Sequence, residues 1–386
     1  MEKIKNLKKV INNSIKKLNT KYIKRNNKIT FQDVVYGLSL KTISSYSFDK
    51  VTYKLNKNRT DTISSSGFKN KKNYIKNDDI QILNNDLLNH IYKDKSEKRV
   101  IAVDGSYLKS LKKLNNDGLK YSSNKENYTY SIINGLYDID KKIIINYNHS
   151  ISLNERKCFK EQLKYVRKGD TLLFDRGYYS DDLRIMLNNK KIDYIFRMKK
   201  NFKKLSYLKD NNLNEYIFTI NNYKIVNYKI HDKGEDYFLL TSLVNKNIEE
   251  LKDLYKKRWS IETHFKEAKY TTSMKNLNSK SLDNFLKEIN MHNYVYILYY
   301  YFIDCFKDTV IDTKYELNNK ISLEIFIEEI LFILIYKKKI NNYILKIINI
   351  LPKTYKQKKD RHYERLSKRT VSNWYSNKKT FKTKNL

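Results

Sequence analysis

Residues 255–269, YKKRWSIETHFKEAK, contain neither proline nor glycine and consist mostly of residues that favour helices. The stretch therefore predicts a helix. Positions three and four residues apart share one face of a helix, and that face carries Tyr255, Arg258, Glu262, Phe265, Lys266 and Lys269. A single glutamate among cations is usually a surface ion pair, so a functional interpretation needs support from elsewhere in the chain.

Two aspartates upstream supply that support. Asp104 directly follows the apolar run VIAV at residues 100–103, and Asp175 directly follows LLF at residues 172–174. Short apolar runs of this kind predict buried strands, so both carboxylates are expected at strand ends. Two strand-end carboxylates and one helical carboxylate are the ligands that a two-metal phosphodiester site needs.

The charge of the chain is strongly positive. Its 78 Lys and Arg residues outnumber 42 Asp and Glu residues, which gives a formal net charge of +36. A polyanionic partner relieves such self-repulsion, and nucleic acid is the partner that we expect. A genome rich in A/T codons also favours lysine, and we infer that both causes contribute. The aromatic content of 13% excludes a disordered basic tail as the whole protein.

The cysteines and the apolar segments limit the remaining classes. Cys158 and Cys305 are far apart and the six histidines do not cluster, so we expect a reducing compartment and no structural zinc. The apolar runs at residues 294–303 and 325–336 are too short to cross a bilayer. The sequence thus predicts no membrane partner and an intracellular protein, cytoplasmic in bacteria and nuclear or in a viral replication compartment otherwise.

The chain divides into three predicted regions. Residues 1–95 are predicted to form a helical DNA-binding domain, in which Thr30 and Asp33 form a capping box. A basic amphipathic helix within residues 1–28 is equally compatible with DNA contact and with a solvated lysine face. Residues 306–386 are predicted to form a helical C-terminal region, with helices within residues 323–351 followed by a basic tail that includes Trp374.

Residues 99–305 show the pattern of a mixed α/β sheet flanked by helices. Strands are predicted at 100–103, 128–137, 143–148, 171–174 and 194–198, and helices at 154–166 and 180–188. A β-rich insertion at about 199–245 is predicted to add antiparallel strands to this sheet. The helix over residues 249–269 and an apolar helix over 283–303 complete this region.

The expected chemistry follows from these carboxylates. Mg²⁺ prefers carboxylate oxygens, waters and substrate phosphates, and two such ions activate the nucleophile and stabilise the leaving oxygen. Asp104 is the candidate bridging ligand, Asp175 adds a second and Glu262 closes the site. The candidate DNA contacts are phosphate binding by Arg258, Lys266, Lys269 and Arg176 and base stacking on Tyr255 and Trp259.

The spacing Tyr255-x2-Arg258-x3-Glu262-x6-Lys269 resembles the Y-(2)-R-(3)-E-(6)-K signature of IS4-type (Tn5-like) DDE transposases. AVDGS around Asp104 and FDRGY around Asp175 resemble the two aspartate regions of that family. The resemblance covers roughly residues 30–300. It implies an RNase H-like core with a β-rich insertion before the glutamate, a helical N-terminal domain and a homodimeric synaptic complex.

The resemblance also implies cut-and-paste transposition. Asp104, Asp175 and Glu262 would hold two Mg²⁺ ions, with Mn²⁺ as a substitute, and Tyr255, Arg258 and Lys269 would contact DNA near the cleaved end. The implied partners are double-stranded DNA with terminal inverted repeats and a target DNA.

Two alternatives to an active transposase remain open at this point. One is a domesticated or defective copy that only binds DNA, and the other is an unrelated RNase H-like nuclease. The insertion also departs from the family because it lacks the tryptophan that stacks on a flipped base in relatives. Its candidate substitutes are Tyr207, Tyr216, Phe218, Tyr223, Tyr228, Tyr237 and Phe238.

Overall fold

The structure is a computed structural model that describes residues 2–22, 28–57, 59–111, 114, 128–150, 154–206, 208, 213–218, 223–229, 236–272, 274–277, 279–306, 315–337, 342–351 and 353–355. The predicted basic tail with Trp374 lies outside the described residues, as does Tyr207.

An eight-stranded mixed sheet is the centre of the fold. Its strands are β1 (Val100–Leu111), β2 (Tyr128–Asp138), β3 (Ile143–Ser150), β4 (Thr171–Phe174), β5 (Asp193–Arg197), β6 (Glu215–Phe218), β7 (Tyr223–Lys229) and β8 (Asp236–Thr241). Their order is β3-β2-β1-β4-β5-β8-β7-β6. β1, β4 and β5 are parallel, and the other pairs are antiparallel. The predicted α/β fold class, the β2–β3 hairpin and the addition of insertion strands to the main sheet are confirmed.

Two helices cover one face of this sheet. They are α6 (Glu155–Gln162), capped by the Asn154 side chain, and α7 (Asp181–Asn189), capped by the Ser180 side chain. Both begin as predicted, because an asparagine or serine at the N-cap satisfies an otherwise unpaired backbone N–H. Phe159 of α6 packs edge-on against Phe174 of β4, so burial of apolar rings holds α6 on the sheet.

The opposite face is covered by α8 (Ile248–Lys256) and α9 (Trp259–Tyr270). Leu251 and Tyr255 of this pair join one buried cluster with the sheet, and Ile261, Phe265 and Ala268 join another. Because side chains alternate along a strand, Ala102 of β1 belongs to this face whereas Val103 belongs to the α6 face.

The prediction of one continuous helix over residues 249–269 is wrong. The helix stops at Lys256 and a new one begins at Trp259. At the break Arg258 N–H bonds to Tyr255 O (3.0 Å) and Ile261 N–H bonds to Arg258 O (3.2 Å), so each bond spans three residues instead of four. The sequence has no helix breaker here, and the break coincides with the burial of the Arg258 side chain in the site described below.

A helical assembly lies at one side of the sheet. It consists of α1 (Glu2–Tyr22), α2 (Phe31–Ser44), α3 (Phe48–Asn56), α4 (Ser65–Tyr74), α5 (Asn77–Ile91) and α10 (Leu282–Cys305). The predicted capping box of Thr30 and Asp33 is present at α2, and the apolar face of α1 is buried. α10 packs against both α2 and α5, so a late helix holds the early ones together.

The C-terminal part of the described chain is also mainly helical. It contains α11 (Asn319–Ile325), a wider π-helical stretch (Phe326–Leu331), α12 (Phe332–Tyr336) and α13 (Asn342–Asn349), with short strands β9 (Tyr315–Leu317) and β10 (Lys353–Tyr355). This agrees with the helices predicted within residues 323–351. No helix in the described ranges is long and apolar enough to cross a membrane.

A buried ion pair fixes the start of β1. Arg99 donates from Nε to Asp170 Oδ1 (3.0 Å) and from Nη2 to Asp170 Oδ2 (2.5 Å) and Tyr165 O (3.0 Å). The Tyr92 ring lies 5.1 Å from Arg99 Cζ, and the Tyr92 hydroxyl donates to Asp138 (2.6 Å). This cluster links the end of the helical assembly to the first strand and to the turn before β4.

Candidate functional site

Asp104 does not lie at a strand end, contrary to the prediction, because β1 continues to Leu111. Its backbone remains paired with Gly135 of β2. The parallel pairing with β4, however, ends at Val103 and Phe174, so β1 has no β4 partner from Asp104 onward. The carboxylate therefore lies where one neighbouring strand has ended, which leaves space beside it.

Asp175 directly follows β4, as predicted. Its Oδ1 atom is buried and has no hydrogen-bond partner among the described residues. The nearest cation is Arg197 at the end of β5, whose Nη1 lies 3.7 Å from this oxygen. An acceptor left in this state is costly unless a ligand completes it.

Glu262 lies in the first turn of α9 and reaches the same region from the helix that covers this face of the sheet. Its Oε1 accepts a hydrogen bond from Arg258 Nη2 at 2.7 Å. The Glu262 side chain is 42% exposed. It is thus held at one oxygen and remains accessible from solvent.

Arg258 lies among the three predicted carboxylates. Its side chain is only 2% exposed, and Nη1 stands 3.6 Å from Asp104 Oδ2. Nε and Nη1 have no hydrogen-bond partner in the described part of the chain. A buried guanidinium with two unused donor atoms can bind an anionic ligand without displacing a protein bond.

The charges of this site perturb one another. Burial, together with the charges of Glu155 and Glu262, raises the pKa of Asp104 to about 7, against the opposing effects of Arg258 and the Gly105 N–H. Burial would lower the pKa of Arg258, but Tyr255, Asp175, Glu262 and Asp104 outweigh it and raise that pKa. Burial lowers the pKa of Lys269, against the attraction of Asp104. Such mutual perturbation is typical of functional sites.

The other predicted DNA-contact residues are placed differently from one another. Tyr255 is 2% exposed and its hydroxyl donates to Phe174 O (3.3 Å), so its ring offers no free face for stacking here. Trp259 is 49% exposed and offers such a face. Lys266 and Arg176 are exposed, and Lys269 is partly buried.

The structure also separates the aromatic candidates of the insertion. Tyr223 and Phe238 are buried, and the rings of Tyr216 and Phe218 pack together. Tyr237 lies under the Arg197 guanidinium at 4.0 Å, with Tyr228 beside it. Because Arg197 contacts Asp175, these two tyrosines are connected to the carboxylates through one side chain.

Glu155 is a fourth carboxylate at the site, and the sequence argument missed it. It is the first residue of α6, yet its charge raises the pKa of Asp104, and burial together with Asp175 raises the pKa of Glu155 itself. An acidic residue in the first turn of a helix is ordinarily explained by the helix dipole. No local pattern therefore distinguishes Glu155 from other first-turn acids.

The donor set suits a hard divalent cation in kind. All four acidic groups are carboxylates, which Mg²⁺ and Mn²⁺ prefer, and Asp175 offers a buried oxygen without a partner. As the side chains stand, no three acidic, histidine or cysteine groups of the described residues are close enough together to hold a metal. Arg258 occupies the space between Asp104 and Glu262 instead.

Two comparisons with known proteins bear on the family and the fold of this chain. The family model described as "Transposase DDE domain" matches residues 95–298, which include all four carboxylates. The chain is similar to a solved cryo-EM structure of a piggyBac transposase synaptic complex with hairpin DNA. The TM-score is 0.50 at 14% identity, over 100% of this chain and 88% of that one.

At that identity the likeness shows the fold alone, which is the RNase H-like mixed sheet. No curated protein sequence matches the chain. The family model, in contrast, spans more than half of the 386 residues. The chain therefore belongs to the transposase DDE domain family.

Proposed function

We propose that this chain is an IS4-type, Tn5-like DDE transposase that cuts the ends of a DNA element and joins them to a target. The observation that carries the proposal is the arrangement of Asp104, Asp175 and Glu262 around the buried Arg258. All of these residues lie within the region that matches the transposase domain.

Asp104, Asp175 and Glu262 are the proposed ligands of two Mg²⁺ ions, which Mn²⁺ can replace. When bound, such ions lower the pKa of an attacking water or 3′ hydroxyl and stabilise the leaving oxygen. The three carboxylates would supply oxygen donors to the metals, and none of them needs to act as a general base.

The surrounding cations are proposed to hold the substrate. Arg258 has two unpartnered donor atoms, which suit a phosphate oxygen beside the carboxylates. Lys269, Lys266 and Arg176 extend the positive charge along the DNA backbone, and the exposed ring of Trp259 can stack on an unpaired base. Tyr255 is proposed to position Asp175, because its hydroxyl donates to the backbone oxygen of Phe174, the residue before Asp175.

The proposed partners are double-stranded DNA with terminal inverted repeats, a target DNA and a second copy of the chain. The net charge of +36 supports a polyanionic partner. The similar piggyBac structure is a synaptic complex with hairpin DNA, which supports DNA as that partner. Residues 1–95 are proposed to contribute to end binding.

The test is cleavage of DNA fragments taken from both flanks of the gene, with and without Mg²⁺. Wild type is expected to cut at matching inverted repeats only with metal. Asp104→Asn, Asp175→Asn and Glu262→Gln should each reduce cutting by roughly 10³-fold or more and leave DNA binding nearly intact. The control is Asp253→Asn, which removes an exposed carboxylate of α8 and should cut normally.

Normal cutting by any of the three site variants would contradict the metal assignment. Tight DNA binding without cuts in any sample would instead favour the copy that only binds DNA. Whether or not the protein cuts, its affinity for DNA should fall steeply as the salt concentration rises, because each neutralised phosphate releases counterions.

A further inference from the structure

Glu155 lines an open groove at the start of α6. The groove has a volume of about 820 Å³ and is lined on one side by Arg156, Lys157 and Lys160 of α6, and on another by Gly177 of the Asp175 loop. A cation or a DNA strand in this groove can therefore reach the Glu155 carboxylate. No sequence pattern predicted a role for the Glu155 side chain.

One glycine makes room for that carboxylate, and a second glycine lies near it. A Cβ added to Gly105 would stand 2.5 Å from Glu155 Oε1, so no other residue fits beside Asp104 without moving Glu155. A Cβ on Gly177 would stand 3.8 Å from Glu155 Oε2. One carboxylate thus lies against the residue after Asp104 and also near the loop that follows Asp175.

The loop and α6 are tied together at this point. Arg156 Nε donates to Gly177 O at 2.8 Å, and the Asn154 side chain caps the helix by accepting from Lys157 N–H. These bonds fix the first turn of α6 relative to Asp175. The backbone of Glu155 is therefore held close to the loop that follows Asp175.

Glu155 has no countercharge of its own. Among the residues that the structure describes, none donates a hydrogen bond to its carboxylate or forms an ion pair with it. A helix-dipole role would leave this side chain in solvent, away from other acids. Instead it is half-buried beside like charges, which is unfavourable unless a cation joins them.

Three buried polar atoms in the same site are available to a ligand. Asp175 Oδ1 lacks a hydrogen-bond partner, and the guanidinium of Arg258, 2% exposed, leaves Nε and Nη1 unpaired, counting partners among the described residues. An unpaired acceptor calls for a cation, and unpaired donors call for an anion such as a phosphate. A metal bound together with a DNA phosphate satisfies both.

We propose that Glu155 is a fourth metal-binding carboxylate, which enters the site from the α6 face while Asp104, Asp175 and Glu262 enter from the face of α8 and α9. It contacts the divalent cation directly or through a bound water. This inference rests on the proposed function, and it assigns a metal-binding role to a residue outside the three predicted acids.

The experiment measures Mn²⁺ binding to the full chain by counting free Mn²⁺ with electron paramagnetic resonance. Glu155→Gln is expected to weaken binding by about 10–100-fold. The matched control is Glu161→Gln, which removes the same charge from an exposed position of the same helix and should match wild type. Asp175→Asn removes one of the three carboxylates that the proposed function assigns to the metals, and it should also lose Mn²⁺.

The outcomes separate the two proposals. If Asp175→Asn loses Mn²⁺ and Glu155→Gln binds it like Glu161→Gln, the role of Glu155 is overturned and the proposed function stands. If wild type binds no Mn²⁺, or Asp175→Asn binds it normally, the proposed metal site itself fails.

A second measurement uses the unaltered protein. Fe²⁺ loaded in place of Mg²⁺ generates hydroxyl radicals with ascorbate and peroxide, and these cut the backbone close to the metal. Cuts are expected near residues 104, 155 and 175. Cuts near 104 and 175 without any near 155 would overturn the role of Glu155, whatever the stability of the variants.

Discussion

The chain buries two arginines next to carboxylates, and the two are arranged differently. Arg99 and Arg258 have side chains that are each 2% exposed. Arg99 makes a two-pronged pair with Asp170 and a further bond to Tyr165 O. Arg258 makes one bond, to Glu262, and leaves two donor atoms unused within the described chain.

The contrast distinguishes a structural ion pair from a binding site. A fully bonded buried pair holds segments in register but has no capacity for a ligand. A partly bonded one is unfavourable in the folded chain by itself, and it becomes favourable when an anion and a cation arrive. We therefore expect Arg99 variants to lose stability and Arg258 variants to lose activity.

The largest expected effect is on cleavage by Arg258→Ala. Loss of the guanidinium removes the proposed phosphate contact and the cation between Asp104 and Glu262, so DNA cleavage should fall by about 10³-fold. The free energy of unfolding should drop by less than it does in Arg99→Ala, because the Glu262 partner is 42% exposed and water can replace the lost bond. Strand-cleavage rates measure the loss of activity, and urea unfolding measures the loss of stability. A large loss of stability with normal cleavage would show that Arg258, like Arg99, has a structural role.

The next effect is on the stability of Arg99→Ala. This variant leaves the buried Asp170 without its countercharge, although the Arg167 N–H still donates to it (2.7 Å). The free energy of unfolding should fall by about 3–5 kcal/mol. Cleavage per folded molecule should remain. The double variant Arg99→Met, Asp170→Leu removes both charges and should recover most of the loss; if it is as unstable as the single variant, the pair is not the cause.

A smaller effect is expected from Asp104→Asn, and its sign depends on pH. The pKa of Asp104 is about 7 in the folded chain against an ordinary value of 3.8, so the folded state holds this proton more tightly than the unfolded state. The resulting stability is present at low pH and is lost as pH rises from about 4 to 7. At pH 8 the variant should therefore be more stable than wild type, by on the order of 2 kcal/mol.

Thermal unfolding across this pH range measures the difference. The gain should vanish near pH 4, where Asp104 is protonated in both states. A variant that is less stable than wild type at pH 8 would show that the ionised carboxylate is already well paired, as Asp170 is.

The smallest effect is expected from Tyr255→Phe. It removes one bond, from the hydroxyl to Phe174 O at 3.3 Å, and keeps the buried ring. The expected loss is about 1 kcal/mol of stability, with a modest decrease in cleavage. A loss of DNA affinity as large as that of Trp259→Ala would instead indicate that Tyr255 turns outward to contact DNA.

Sequence patterns predicted the sheet, its hairpin and the position of Asp175, because apolar runs followed by polar residues mark buried strands. They did not predict the continuation of β1 beyond Asp104, since residues 105–111 mix polar and apolar types and gain their pairing from β2. The break before Trp259 was also missed. It coincides with burial of Arg258 beside Asp104, which is distant in sequence, and local helix propensity carries no such information.

The antiparallel pairing of β8 with β5 has a mechanical consequence. This pairing joins the insertion to β5, the strand beside β4 and Asp175. Three consecutive residue pairs form it, namely Ile195 with Thr241, Phe196 with Leu240 and Arg197 with Leu239. Paired strands resist bending, so the insertion has no hinge between β5 and β8. Tyr237 of β8, which packs against Arg197, is thus held at a fixed distance from Asp175.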